Sequence, residues 1–105
     1  MLGQFEDVVL MAILRLGSNA YGVTILQEIE KRTEKSVTVG ALYTTLDRLE
    51  AKGYVSSWLG DPTPERGGRA KRYFQIQGLG EKALNESERI RRSMREGLAP
   101  IPGLI

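Results

Sequence analysis

The sequence predicts a mainly α-helical domain that carries one small β-hairpin and ends in a long helix. Three observations lead there. Apolar residues recur at helical spacing in three successive segments within residues 4–54. A Pro- and Gly-rich stretch, GDPTPERGGRAK (60–71), then separates two short runs of strand character, VSSWL (55–59) and RYFQIQ (72–77). Beyond them, residues 79–97 are rich in charge, with a thin apolar seam.

Composition narrows the function classes. A chain of 105 residues with 41% hydrophobic and 27% charged content supports one domain with one modest core. No apolar run reaches membrane-spanning length. Glu6 and Asp7 stand where a secretory leader would be basic, so a cytoplasmic protein is expected. The absence of Cys and His removes disulfides, the usual zinc ligands and the commonest catalytic bases and nucleophiles. No metal or cofactor is expected, and the chain does not read as an enzyme. The remaining carboxylate candidates, Asp47 and Glu50 beside Arg48, read as ordinary surface helix pairs.

The first helix, Gln4 to Leu16, places Phe5, Val8, Val9, Ala12, Ile13 and Leu16 on one stripe. Leu10, Met11 and Leu14 fall off it, so this helix either sits centrally in the core or offers a second face to another chain. Gly17 ends it, and Ser18-Asn19 supplies turn and capping chemistry. A second helix from about Tyr21 to Arg32 turns Ile25, Leu26 and Ile29 inward, and Gly22 in its first turn would admit a neighbouring backbone.

After a short polar connection, Thr38 is the expected N-cap of a third helix within TVGALYTTLDRLEAKGY (38–54). Val39, Leu42, Leu46 and Leu49 recur at steps of 3, 4 and 3 on its inner side. The opposite side carries Gly40, Ala41, Thr44, Asp47, Arg48 and Ala51, a slim polar face suited to lying in a groove. Lys52 and Gly53 close the helix. Helix, short turn, helix with a slim outer face is the layout of a helix-turn-helix.

The hairpin follows directly. From Arg66 to Arg72 its connection holds four cations, Arg66, Arg69, Lys71 and Arg72, and no acid. Two readings of that charge stand side by side: a wing that meets DNA, or a solvated loop that keeps an edge hairpin soluble. Arg72 alternates onto the side of Phe74 and is the weaker candidate for DNA contact. Trp58, in the first strand, reads as a packing aromatic. In the last helix Ala83, Ser87, Ile90 and Met94 form a seam one side chain wide, widened slightly by Leu84, and pairs such as Glu88–Arg92 solvate the rest. A stripe this thin is satisfied most economically by a second copy of the chain. The expected organisation is a winged helix-turn-helix over 1–77, a dimerisation helix over 78–97 and a Pro-containing tail over 98–105.

This order of elements resembles the PadR-like winged helix-turn-helix regulators of bacteria. The matching stretches are AYGVTILQEIE (20–30), GALYTTLDRLEAKGYV (40–55), ERGGRAKRYFQI (65–76) and GLGEKAL (78–84). Two positions depart from the pattern: the Thr often found after the second strand is Gln77, and the Pro often next is Gly78. The resemblance is to compact members with a single C-terminal helix.

It implies a homodimeric DNA-binding transcriptional regulator, usually a repressor. Such a protein places its third helix in the major groove of a palindromic operator and its wing at the adjoining minor groove. Carried over by position, the recognition-helix candidates are Thr38, Gly40, Ala41, Tyr43, Thr44 and Arg48, and the wing candidates Arg66, Arg69 and Lys71. Tyr43 lies between the buried and exposed faces, where a core-edge tyrosine and a phosphate contact are nearly equal readings. The implied dimer interface draws on Phe5, Leu10, Ala83, Ser87, Ile90 and Met94. Some members of the family respond to phenolic acids or small hydrophobic molecules held between protomers. The alternative is a winged-helix protein-interaction module whose basic wing binds an acidic partner.

Overall fold

The computed structural model describes residues 1–61 and 70–100. The elements follow the expected order: α1 (Gln4–Leu16), α2 (Gly22–Thr33), α3 (Val39–Ala51), β1 (Val55–Leu59), β2 (Arg72–Ile76) and α4 (Gly78–Arg95). A 3-10 turn over Gly17–Asn19 joins α1 to α2. Arg66 and Arg69 of the predicted wing, and residues 101–105 of the tail, lie outside the described residues.

Helix α1 occupies the middle of the fold and packs against α2, α3, β2 and α4. Val9, Leu10 and Ile13 meet Ile25 and Ile29 of α2, Leu42, Leu46 and Leu49 of α3, and Val55 and Phe74 of the hairpin. Each such side chain contributes about 1.5–3 kcal/mol on burial. Leu42, Leu46 and Leu49 together therefore outweigh the cost of about 1 kcal/mol that Gly40 adds to α3.

Local chemistry sets the helix ends. At the start of α2, Thr24 rather than Ser18 or Asn19 does the capping: its hydroxyl accepts from the Tyr21 N–H at 3.0 Å and donates to the Asn19 carbonyl at 2.6 Å. Glu34, in the left-handed region at φ 56°, ends α2. Its neighbour Glu30 then accepts the Val37 N–H at 3.0 Å, which shapes the turn into α3. Thr38 caps α3 as expected, accepting from the Ala41 N–H at 3.1 Å.

The inner side of α3 differs from the expected stripe. Val39 is 58% exposed, because it sits in the first turn, outside the region that α1 and α2 cover. Thr45 is buried in its place, beside Leu42, Leu46 and Leu49. Gly22 also has an unexpected neighbour. A Cβ there would lie 2.1 Å from the Tyr43 hydroxyl, so the close approach is by a side chain of α3 and not by backbone.

Strands β1 and β2 pair antiparallel, with Val55 opposite Ile76 and Leu59 opposite Arg72. The far edge of β2 is also occupied, since Phe74 N–H donates to the Ala20 carbonyl at 2.8 Å and Tyr21 bridges Tyr73. Strand β2 ends one residue earlier than predicted. Gln77 instead becomes the N-cap of α4, and its amide donates to the Ser56 hydroxyl at 2.8 Å.

Candidate nucleic-acid interface

Helix α3 presents a continuous exposed strip of Gly40, Ala41, Thr44, Asp47 and Arg48. No atom outside the local helix lies within 4 Å of where a Cβ on Gly40 would stand, so the strip is open at its N-terminal end. Among the described residues Arg48 makes no ion pair. Its side chain is exposed, and its charge is felt by Glu6. Thr38 is exposed, but its hydroxyl is engaged in capping. Tyr43 is half-buried with its hydroxyl against Gly22, so it packs α3 onto α2.

The base of the hairpin adds one described cation from the predicted wing set. Lys71 is half-buried with Nζ 4.4 Å from the centre of the Tyr21 ring. Tyr21 meets Tyr73 edge-on at 5.5 Å, and Tyr73 stacks on Trp58 at 6.0 Å, so an aromatic ladder supports this side of the hairpin. Trp58 is thus a packing residue, though partly exposed.

Arg72 is placed otherwise. Its guanidinium bonds Glu50 Oε1 at 2.5 Å and Asp47 Oδ1 at 3.2 Å on α3, and Nε donates to Ser57 Oγ on β1 at 3.2 Å. Ser57 in turn donates to Glu50 Oε2 at 2.7 Å. The Ser57 hydroxyl and the Arg72 guanidinium together hold the Glu50 carboxyl below its ordinary range. Asp47 and Glu50 are therefore not ordinary pairs within their own helix; their partner comes from the hairpin. The acid-free charge of residues 66–72 marked Arg72 as basic, but nothing in its spacing indicated which carboxylates it meets.

Two further acids, Glu6 and Glu28, form ion pairs, and of these the long-range ones to Lys52 and Arg15 were not legible in the sequence. Glu6 is buried at the start of α1, where it accepts the Gly3 N–H at 2.9 Å and Lys52 Nζ at 2.8 Å. Lys52 lies just past the end of α3, so this pair ties α1 to α3. Glu28 of α2 meets both Arg32 and Arg15, and these two guanidinium groups lower its pKa.

The predicted inter-chain residues separate into two groups. Leu10 is fully buried within its own chain, at 0% exposure, and has no surface for a partner. The apolar excess of α1 shows at Met11 and Leu14 instead, because the side of α1 that carries Leu10 is covered by the chain's own elements. Phe5 is half-buried beside Val8, Val37 and Ala41 in a groove of about 500 Å³. Ala83, Ser87 and Ile90 are half-buried, and Met94 is 73% exposed. Ser87 and Ile90 line a cleft of about 440 Å³ with Met1, Leu2 and Asp7.

A sequence model of the PadR-like transcriptional regulators matches residues 9–86. The chain belongs to the PadR-like family. Solved PadR structures share its fold. A PadR-like transcription factor from Bacteroides fragilis is 28% identical over 90% of this chain and 85% of its own, with a TM-score of 0.74. A PadR family regulator from Clostridium difficile R20291 is 22% identical, covering 88% of this chain and 92% of its own, at a TM-score of 0.70. A transcriptional regulator from Clostridium thermocellum is likewise 22% identical, covering 87% and 85%, at 0.72. No curated protein matches by sequence. As a PadR-type chain it is a DNA-binding regulator, and its four helices and two-stranded hairpin are the winged helix-turn-helix of that family. Among the described residues no helix is long and apolar enough to cross a membrane, and no cluster of three or more His, Cys, Asp or Glu could hold a metal.

Proposed function

We propose that the protein is a dimeric, sequence-specific repressor in the cytoplasm, without catalytic activity, that reads a palindromic operator. The observation that supports this best is the open strip on α3, where Gly40, Ala41, Thr44 and Arg48 are exposed within a PadR-type chain. Small side chains at 40 and 41 admit the DNA backbone closely. Thr44 serves a base edge or phosphate, and Arg48 a phosphate. Thr38 and Tyr43 border this surface.

The wing cations Arg66, Arg69 and Lys71 supply counterion release at the minor groove, so affinity comes chiefly from phosphates and the wing. Pairing uses Ala83, Ser87, Ile90 and Met94 of α4 with Phe5 of α1, and sets two half-sites one or more helical turns apart. A small hydrophobic or phenolic effector held between the protomers would adjust that spacing.

Footprinting on DNA upstream of the protein's own gene, repeated over a salt series, tests the reading. The expected result is a symmetric protected site with affinity falling steeply with salt, and Arg69→Ala flattening the slope by about one unit. Equal affinity for random DNA would overturn it. Transcription from that promoter, rising when the protein is removed, tests the sign of regulation.

A further inference from the structure

The geometry points to Arg72 as a positioning residue: it locks the hairpin onto the recognition helix through Asp47 and Glu50, and DNA affinity depends on that lock. This rests on the DNA-binding reading above.

Arg72 lies opposite Leu59 at the last rung of the hairpin, where the two strands leave each other toward the wing. All three of its guanidinium nitrogens are engaged: NH2 with Glu50, NH1 with Asp47 and Nε with Ser57. One face of the group lies over the buried Phe74 ring, 4.9 Å from its centre. A single side chain from β2 thus bonds two consecutive turns of α3 and the neighbouring strand β1. A planar fork holds its donors spread and fixed for three separate acceptors; a lysine ammonium offers its three donors from a single nitrogen and cannot span them in the same way.

The lock also bears on charge. Asp47 is 65% exposed and sits three residues after Thr44 on the open strip of α3. A carboxylate there repels phosphate, and Arg72 offsets it. A guanidinium fully occupied in this way is held by protein and not by DNA. Its effect on binding passes through the angle at which the hairpin leaves α3.

Two variants separate the competing roles, the first by sign and the second by size. Removing both acids, in Asp47→Ala/Glu50→Ala, makes the protein more positive beside DNA, and alanine keeps the helix intact. Were Arg72 a phosphate contact, this variant would bind the operator more tightly. The lock predicts binding about tenfold weaker. In Arg72→Gln the lock predicts a salt slope flattened by about two to three units, the hairpin's share at about 0.9 per phosphate contact, together with loss of minor-groove protection. A direct contact predicts about one unit with protection unchanged. Tighter binding by the double alanine variant, a one-unit change in Arg72→Gln, or no change in either overturns the inference.

A DNA-free measurement keeps the two readings apart. Hydrogen exchange at the Trp58 amide should quicken in both variants while the α1 core amides stay protected. If the wild-type protein shows no preference for operator DNA, the functional reading fails, and unchanged exchange in the hairpin then refutes the lock on its own.

Discussion

Helices α1 and α4 are both amphipathic, both expected at an inter-chain surface, and treated oppositely by the fold. α1 is packed by α2, α3, β2 and α4, and buries Val9, Leu10, Ala12 and Ile13. α4 is anchored by its first turns, where Gly80 and Leu84 are buried, and every residue from Arg91 to Pro100 is exposed. A helix enclosed by its own chain must be broadly apolar. A helix held at one end needs only a thin stripe, and what remains of that stripe is left for another molecule. The two meet where Asp7 of α1 faces Arg91 and Glu88 of α4.

The sharpest way to break the contrast is at Leu10. Leu10→Ala should cost about 2–5 kcal/mol in denaturant unfolding, with the same loss at every protein concentration. A loss that depends on concentration would return Leu10 to an inter-chain role. Next comes the anchor of α4. A Cβ on Gly80 would stand 2.3 Å from the Tyr54 carbonyl oxygen, a backbone atom that has little room to yield. Gly80→Ala should therefore cost about 1–3 kcal/mol and speed amide exchange in α4 while the α1 core stays protected.

A smaller and signed effect separates the neighbouring acids of α1. Glu6 is held below its ordinary 4.5, chiefly by the hydrogen bond from Lys52. Its contribution is therefore present above that pH and lost as pH falls through the lowered value. Asp7 is raised above 3.8, chiefly by burial, so what it contributes is present below that pH and lost as pH rises through the raised value. At pH 7, Glu6→Gln should destabilise by about 1 kcal/mol and Asp7→Asn should stabilise by a few tenths. Melting curves at pH 7 and pH 3 check the signs, and a destabilised Asp7→Asn at pH 7 would contradict the burial account. Smallest for the chain itself is Met94→Asp. Intrachain stability should stay within about 0.5 kcal/mol, while sedimentation shows weakened self-association.

Much of the fold was legible because its signals are local. The bounds of α1, the Thr38 cap and the Lys52-Gly53 end of α3 follow from spacing and capping chemistry within a few residues. Tyr43 was poised between two faces, and only the bare Gly22 backbone facing it resolves its packing. Arg72 was seen as a weak DNA candidate, yet its role lay in carboxylates 22 and 25 residues earlier in the chain. Periodicity reports the direction of a side chain from its own axis. It does not report which element lies in that direction.

By itself, then, the sequence determined three amphipathic helices, a basic hairpin, a thinly striped last helix and membership of a family of DNA-binding regulators, since each rests on neighbouring residues or a contiguous motif. Tertiary structure decided which sides of α1 are enclosed, that Glu6 bonds Lys52 across 46 residues, and that Arg72 ties the hairpin to α3. Those outcomes depend on distances between elements, and such distances are set only when the helices have packed around α1.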